Sequence, residues 1–130
     1  MLLYDKDDKL VVASENEIRL WDFFDHKEEA PELLTMLQPE LKVESLYINK
    51  NRQEDSAPLY VLTTCQNSFV LYWKLLDWKY SDEVEEGATI TAAAFNKEST
   101  MLLIGTSTGK IITYDIKIDS KGCAIIGNPL

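Results

Sequence analysis

The sequence predicts an all-β fold built from repeated four-stranded antiparallel units, and three observations carry that prediction. Runs rich in β-branched and aromatic residues recur at Glu17–Phe23 (EIRLWDF), Phe69–Leu75 (FVLYWKL) and Lys110–Ile116 (KIITYDI). Each run follows a short apolar segment across a polar turn, which is the signature of a hairpin. The aromatics that close the runs, Trp21, Trp73 and Tyr114, stand 52 and then 41 residues apart. Recurrence at roughly 40–50 residues marks a repeat architecture.

Taken in order, Met1–Tyr4 is the tail of a strand and Asp5–Lys9 a polar turn. Leu10–Ser14 and Glu17–Phe23 then form a hairpin about the tight turn Glu15–Asn16. In the second of these strands Ile18, Leu20 and Asp22 point one way, and Glu17, Arg19, Trp21 and Phe23 the other, because side chains alternate along a strand. Phe24–Pro31 is charged and loop-like. Glu32–Gln38 (ELLTMLQ) reads either as an outer strand or as a short helix opened by Pro31. Its length and its place in the repeat favour the strand.

The second unit starts with Lys42–Ile48, followed by the polar excursion Asn49–Pro58. Leu59–Thr64 and Ser68–Leu75 form its hairpin about Gln66–Asn67, and Trp78–Val84 is a more polar outer strand. In the third unit, strands Thr89–Phe95, Met101–Thr106 and Lys110–Ile118 are joined by turns at Asn96–Thr100 and Ser107–Gly109. After a turn at Asp119–Gly122, Cys123–Ile126 begins a fourth strand.

An antiparallel sheet with one wet face alternates apolar and polar residues. Phe69–Trp73, Leu59–Leu62 and Met101–Ile104 are apolar at both parities and so require cover on both faces. Trp78–Val84 is mixed and charged, as an outermost strand should be. The three alanines of Thr89–Phe95 suit a crowded position where several sheets converge. Small, then strongly apolar, then apolar-aromatic, then polar: this gradient describes a wedge between similar wedges, the blade of a β-propeller.

On these residues the chain resembles the WD-repeat β-propellers, whose four-stranded blades typically end their third strand in Trp-Asp. Trp21-Asp22 is the full pair, Trp73-Lys74 keeps the aromatic, and Tyr114-Asp115 keeps the acid. Ile18, Val70 and Ile111 sit three residues before the closing aromatic, where the family has an aliphatic. Phe95 and Ile90 fall on family positions of the first strand. The chain departs from the pattern elsewhere. Glu86 occupies the place of the family's histidine, and the turn positions of its aspartate hold Glu15, Asn67 and Thr108, so the family's buried hydrogen-bond tetrad is absent.

The resemblance implies a single partial propeller over 1–130, with blades at about 1–38, 42–84 and 89–127. Propellers close with about four to eight blades. Three leave an incomplete ring with bare edges and faces, to be completed by further chain or by a homo-oligomer; two copies would give six blades.

The bulk composition narrows the function. With 45% hydrophobic and 27% charged residues the chain is that of a globular domain. A net charge of −9 disfavours nucleic acid and anionic membranes and suits a basic protein partner. Cys65 and Cys123 lack metal-ligand spacing, and the N-terminus lacks the form of a signal peptide. Both point to a reducing intracellular compartment, cytoplasmic ahead of nuclear.

No enzymatic constellation emerges. The single histidine, His26, lies in a charged loop without a nucleophile. The clusters Asp5/Asp7/Asp8 and Glu83/Glu85/Glu86 lack the spacing of a cation loop. Gly105–Lys110 (GTSTGK) precedes a strand instead of a helix, so it is a hairpin turn and not a phosphate loop. The expectation is a protein without catalysis, metal or cofactor.

What the resemblance implies is a platform for protein partners. Its candidate contact residues are Glu15, Asn16, Gln66, Asn67, Glu85, Glu86 and Thr108 on the loop face, with Trp78 on an outer strand. Trp21, Asp22, Trp73, Tyr114 and Asp115 serve the repeat itself. The alternative is a purely structural segment that completes a ring and recognises nothing.

Overall fold

The computed structural model describes residues 2–6, 9–22, 32–49, 59–74, 76–118 and 124–126. All regular structure among them is strand, arranged as three antiparallel four-stranded sheets that follow one another along the chain. The first sheet contains β1 (Leu2–Lys6), β2 (Lys9–Ser14), β3 (Glu17–Asp22) and β4 (Glu32–Leu37). The middle sheet contains β5 (Ser45–Ile48), β6 (Val61–Cys65), β7 (Ser68–Trp73) and β8 (Trp78–Glu83). The third contains β9 (Ile90–Phe95), β10 (Met101–Thr106), β11 (Ile111–Ile118) and β12 (Ala124–Ile126). Every sheet is a simple meander in sequence order, and β1 lies beside β5 as β5 lies beside β9.

Turn chemistry fixes the registers. The two-residue turns at Glu15–Asn16 and Gln66–Asn67 close on the pairs Ser14↔Glu17 and Cys65↔Ser68. Gln66 takes φ 54°, the positive value that a tight hairpin turn asks of its first central residue. The β10–β11 turn is one residue longer. Gly109 supplies φ 83° there, and the Thr106 N–H reaches the Lys110 carbonyl at 3.0 Å. Between β9 and β10, the Asn96 carboxamide oxygen accepts the backbone N–H groups of Thr100 and Met101, a side-chain mimic of a turn. Glu32–Leu37 is the strand alternative of the two readings of that segment. It pairs with β3 from Ile18↔Leu37 to Asp22↔Glu32, with a bulge at Leu20/Trp21.

Two apolar clusters hold the sheets together. Val11, Ala13, Ile18 and Leu20 of the first sheet meet Val61 and Tyr72 of the middle one. Phe69, Leu71 and Trp73, on the opposite face of β7, meet Leu102, Ile104 and Tyr114 of the third. β7 is thus covered on both faces, as its unbroken apolar run requires. Burial of such side chains contributes about 1.5–3 kcal/mol each.

Three expectations are corrected. The β9 alanines are not crowded: Ala92 and Ala94 are exposed, because among the described residues no sheet lies against the face of the third sheet away from the middle one. For the same reason Met101 and Leu103 are only half-buried while Leu102 and Ile104 are fully buried, so β10 has one covered face. The repeat is also phased differently. Counted from the hairpin turns, with Glu17, Ser68 and Lys110 first, the residues level with one another in fifth place are Trp21, Tyr72 and Tyr114. Trp73 is sixth, level with Asp22 and Asp115, and its side chain lies on the opposite face from Tyr72.

Candidate functional site

The β2–β3, β6–β7 and β10–β11 turns and the connectors between sheets share one end of the molecule, and backbone hydrogen bonds stitch these turns to the connectors. The Val43 N–H donates to the Glu15 carbonyl at 2.9 Å. The N–H groups of Ile90 and Val84 donate to the carbonyls of Gln66 and Asn67, each at 2.8 Å. In the third sheet the Ser107 N–H donates to the Thr89 carbonyl, and the Thr89 N–H returns to Ser107 Oγ. With their backbone groups satisfied, these loops are held in place by the sheets behind them.

Seven of the sequence-predicted residues come together here: Glu15, Asn16, Gln66, Asn67, Glu85, Glu86 and Thr108. Asn67 is half-buried, with Nδ2 donating to the Val84 carbonyl, and the other six are exposed. Thr108 Oγ1 shares a 2.8 Å hydrogen bond with Thr106 Oγ1. Trp78 is not on this face. Ser68↔Glu83 is the end of the β7–β8 pair nearest the Gln66–Asn67 turn, whereas Trp73↔Trp78 is the far end. There Trp78 is 38% exposed, 6.4 Å from the Trp73 ring, with the Lys74 ammonium 4.7 Å over its own ring.

The turn end is acidic. Exposed Glu15, Glu44, Glu83, Glu85 and Glu86 lie here against Lys42 and Lys110. Lys110 Nζ is 3.1 Å from Glu85 Oε2, which leaves the remaining carboxylates to set the field. Glu44 also turns inward to its own sheet, accepting the Gln66 N–H at 3.1 Å and a weak 3.7 Å contact from Cys65 Sγ. Burial first, and then the Glu44 charge, push the Cys65 thiol up, so it stays protonated and is a poor nucleophile.

Asp82 is a residue the sequence reading did not single out. On β8, its Oδ2 accepts hydrogen bonds from Tyr114 Oη at 3.2 Å and Tyr80 Oη at 3.4 Å. Burial, and next the Asp82 charge, push both phenols up and keep them donors. Asp82 so ties the third sheet to the outer strand of the middle one, beside a shallow cleft lined by Ser68, Phe69 and Ser81. No local motif announces a pair 32 residues apart.

Among the described residues no group of three or more His, Cys, Asp or Glu side chains is placed to hold a metal ion. In GTSTGK, Gly105 and Thr106 end β10 and the remaining four residues make the turn into β11. His26, Asp7, Asp8, Phe23 and Cys123 lie outside the described residues. No described helix is long and apolar enough to cross a membrane, which says nothing of strands. Neither a family model nor a curated protein matches the chain.

Proposed function

We propose that the chain is a non-catalytic protein-interaction platform of the WD-repeat β-propeller type. Its three sheets are successive blades of a ring, and its acidic turn end receives a basic peptide or protein segment inside the cell. The observation that carries the reading is the gathering of exposed Glu15, Glu83 and Glu86 at one end of the sheets, where inter-sheet hydrogen bonds pin the turns. Carboxylates gathered on a rim whose backbone is pinned attract a cationic partner and speed its encounter. Reversing two of them tests this. Glu15→Lys and Glu86→Lys should weaken binding of a Lys/Arg-rich peptide, measured by titration calorimetry, and flatten its salt dependence. Unchanged affinity and salt slope in both variants would refute the proposed face.

A second reading has its own support. Leu33 and Met36 on the first sheet and Ile111 on the third are large, apolar and exposed. Such residues favour a structural segment whose blades complete a ring in a larger assembly and recognise nothing themselves. On that reading the charge reversals leave every interaction unchanged, while the isolated chain is unstable and is rescued by the missing blades.

A further inference from the structure

Inside the chain, sheets stack by a rule that is used twice. The fifth residue of each third strand, counted from its hairpin turn, packs into the cluster that contains the second residue of the preceding sheet's third strand. Tyr72 shares its cluster with Ile18. Tyr114 meets Phe69 edge to face, with ring centroids 5.3 Å apart. Each end of the stack keeps one half of such a pair. Trp21, a fifth residue, is half-buried and alternates with the inward-facing Ile18 and Leu20, so it lies on the outer face of the first sheet. Ile111, a second residue, is 72% exposed on the outer face of the third.

Resting on the reading of the sheets as blades, we infer that the chain closes with a second copy of itself. Ile111 of each copy seats against Trp21 of the other. Three considerations select this occupant. The two outer faces carry the complementary halves of a contact the chain already makes internally, so a second copy continues the stack without new chemistry. Their apolar side chains, Leu33 and Met36 on one and Leu103 and Ile111 on the other, need cover. Finally, rings form from about four to eight blades, and two copies of these three sheets supply six, within that range. A head-to-tail contact that closes after two copies is a two-fold ring with no open end. The exposed Ala92 and Ala94 of β9 keep the mating face low beside the ring axis.

Light scattering on the eluting full chain tests this. The wild type should run at twice the 14.9 kDa chain mass. Ile111→Glu should run as a monomer, and because Ile111 is exposed within the chain its folding is not at issue. Trp21→Lys should also be monomeric. Mixed in equal amounts, the two variants should recover a dimer, with one native contact and one Glu–Lys contact. A monomeric wild type, an open polymer of growing mass, or a dimer indifferent to Ile111→Glu and Trp21→Lys each overturns the inference. Peptide titration on the same samples separates the two ideas. A monomer that binds the basic peptide sinks the ring and keeps the platform; a dimer that does not bind keeps the ring and sinks the platform.

Discussion

Replacing Asn49 by alanine is expected to cost about 2–4 kcal/mol of folding stability, because this one side chain joins the middle sheet to the third. Asn49 follows β5 and is 2% exposed. Its Oδ1 accepts the Tyr60 N–H at 2.9 Å, and its Nδ2 donates to Ser99 Oγ at 3.0 Å. Ser99, 3% exposed, belongs to the β9–β10 turn. Alanine removes the acceptor from a buried N–H, worth about 1–3 kcal/mol, and the amide–hydroxyl bond, worth about 0.5–1.5. Against the roughly 5–15 kcal/mol of an ordinary domain the loss is large. Urea titration followed by circular dichroism reads it, with the slope checked for constancy before midpoints are compared. Ser99→Gly is the informative companion. It deletes the same bond but relieves the φ of 60° that serine holds there, so its net cost should be smaller. The two variants should couple by about 1 kcal/mol in a double-mutant cycle. A loss below about 0.5 kcal/mol for Asn49→Ala at unchanged slope would refute the role given to this clasp.

Further outcomes follow from the same structure. Burial pushes the Tyr60 phenol from 10.0 up to about 12 and raises Tyr72 as well. A proton held more tightly when folded stabilises fully below pH 10, and that contribution is lost as pH climbs from there through about 12. Base unfolding should fall in this window and shift upward in Tyr60→Phe, read by phenolate absorbance beside circular dichroism. Leu71→Ala, at a fully buried position of β7, should cost about 2–5 kcal/mol by urea titration. Gly109→Ala should cost about 1–2 kcal/mol in the same assay, through its φ of 83° alone, since a Cβ there meets nothing within 4 Å.

Much of the fold was legible because strands and turns are local. The β6–β7 hairpin is readable from LYVLTTC and SFVLYW on either side of Gln66–Asn67, and β4 from its length and place in the repeat. What eluded reading depends on count or on distance. Trp73 looked like the equivalent of Trp21 because both are tryptophans. The ladder counts from the turn instead, and there Tyr72 holds the fifth place. Small side chains in ITAAAF said that a neighbour would fit, not that one is present. Of the candidate site, the shared end of the turns was legible, since a meander puts alternate connections together. Trp78 does lie on an outer strand, β8, but at the end away from the turns, so it does not join the other contact residues. Asp82 was missed because its meaning comes from Tyr114 in another sheet.

Within one chain the middle sheet is sandwiched between two apolar clusters, whereas among the described residues each outer sheet meets only one. In the monomeric Ile111→Glu variant, where no second copy covers the outer faces, cooperativity should therefore be graded along the stack. When the first sheet opens, the Phe69–Tyr114 cluster is left standing; when the third opens, the Ile18–Tyr72 cluster is. Only global unfolding frees β6 and β7. Their amides should be the last to exchange with deuterated solvent, and a limiting protease should trim the chain from its ends toward that centre.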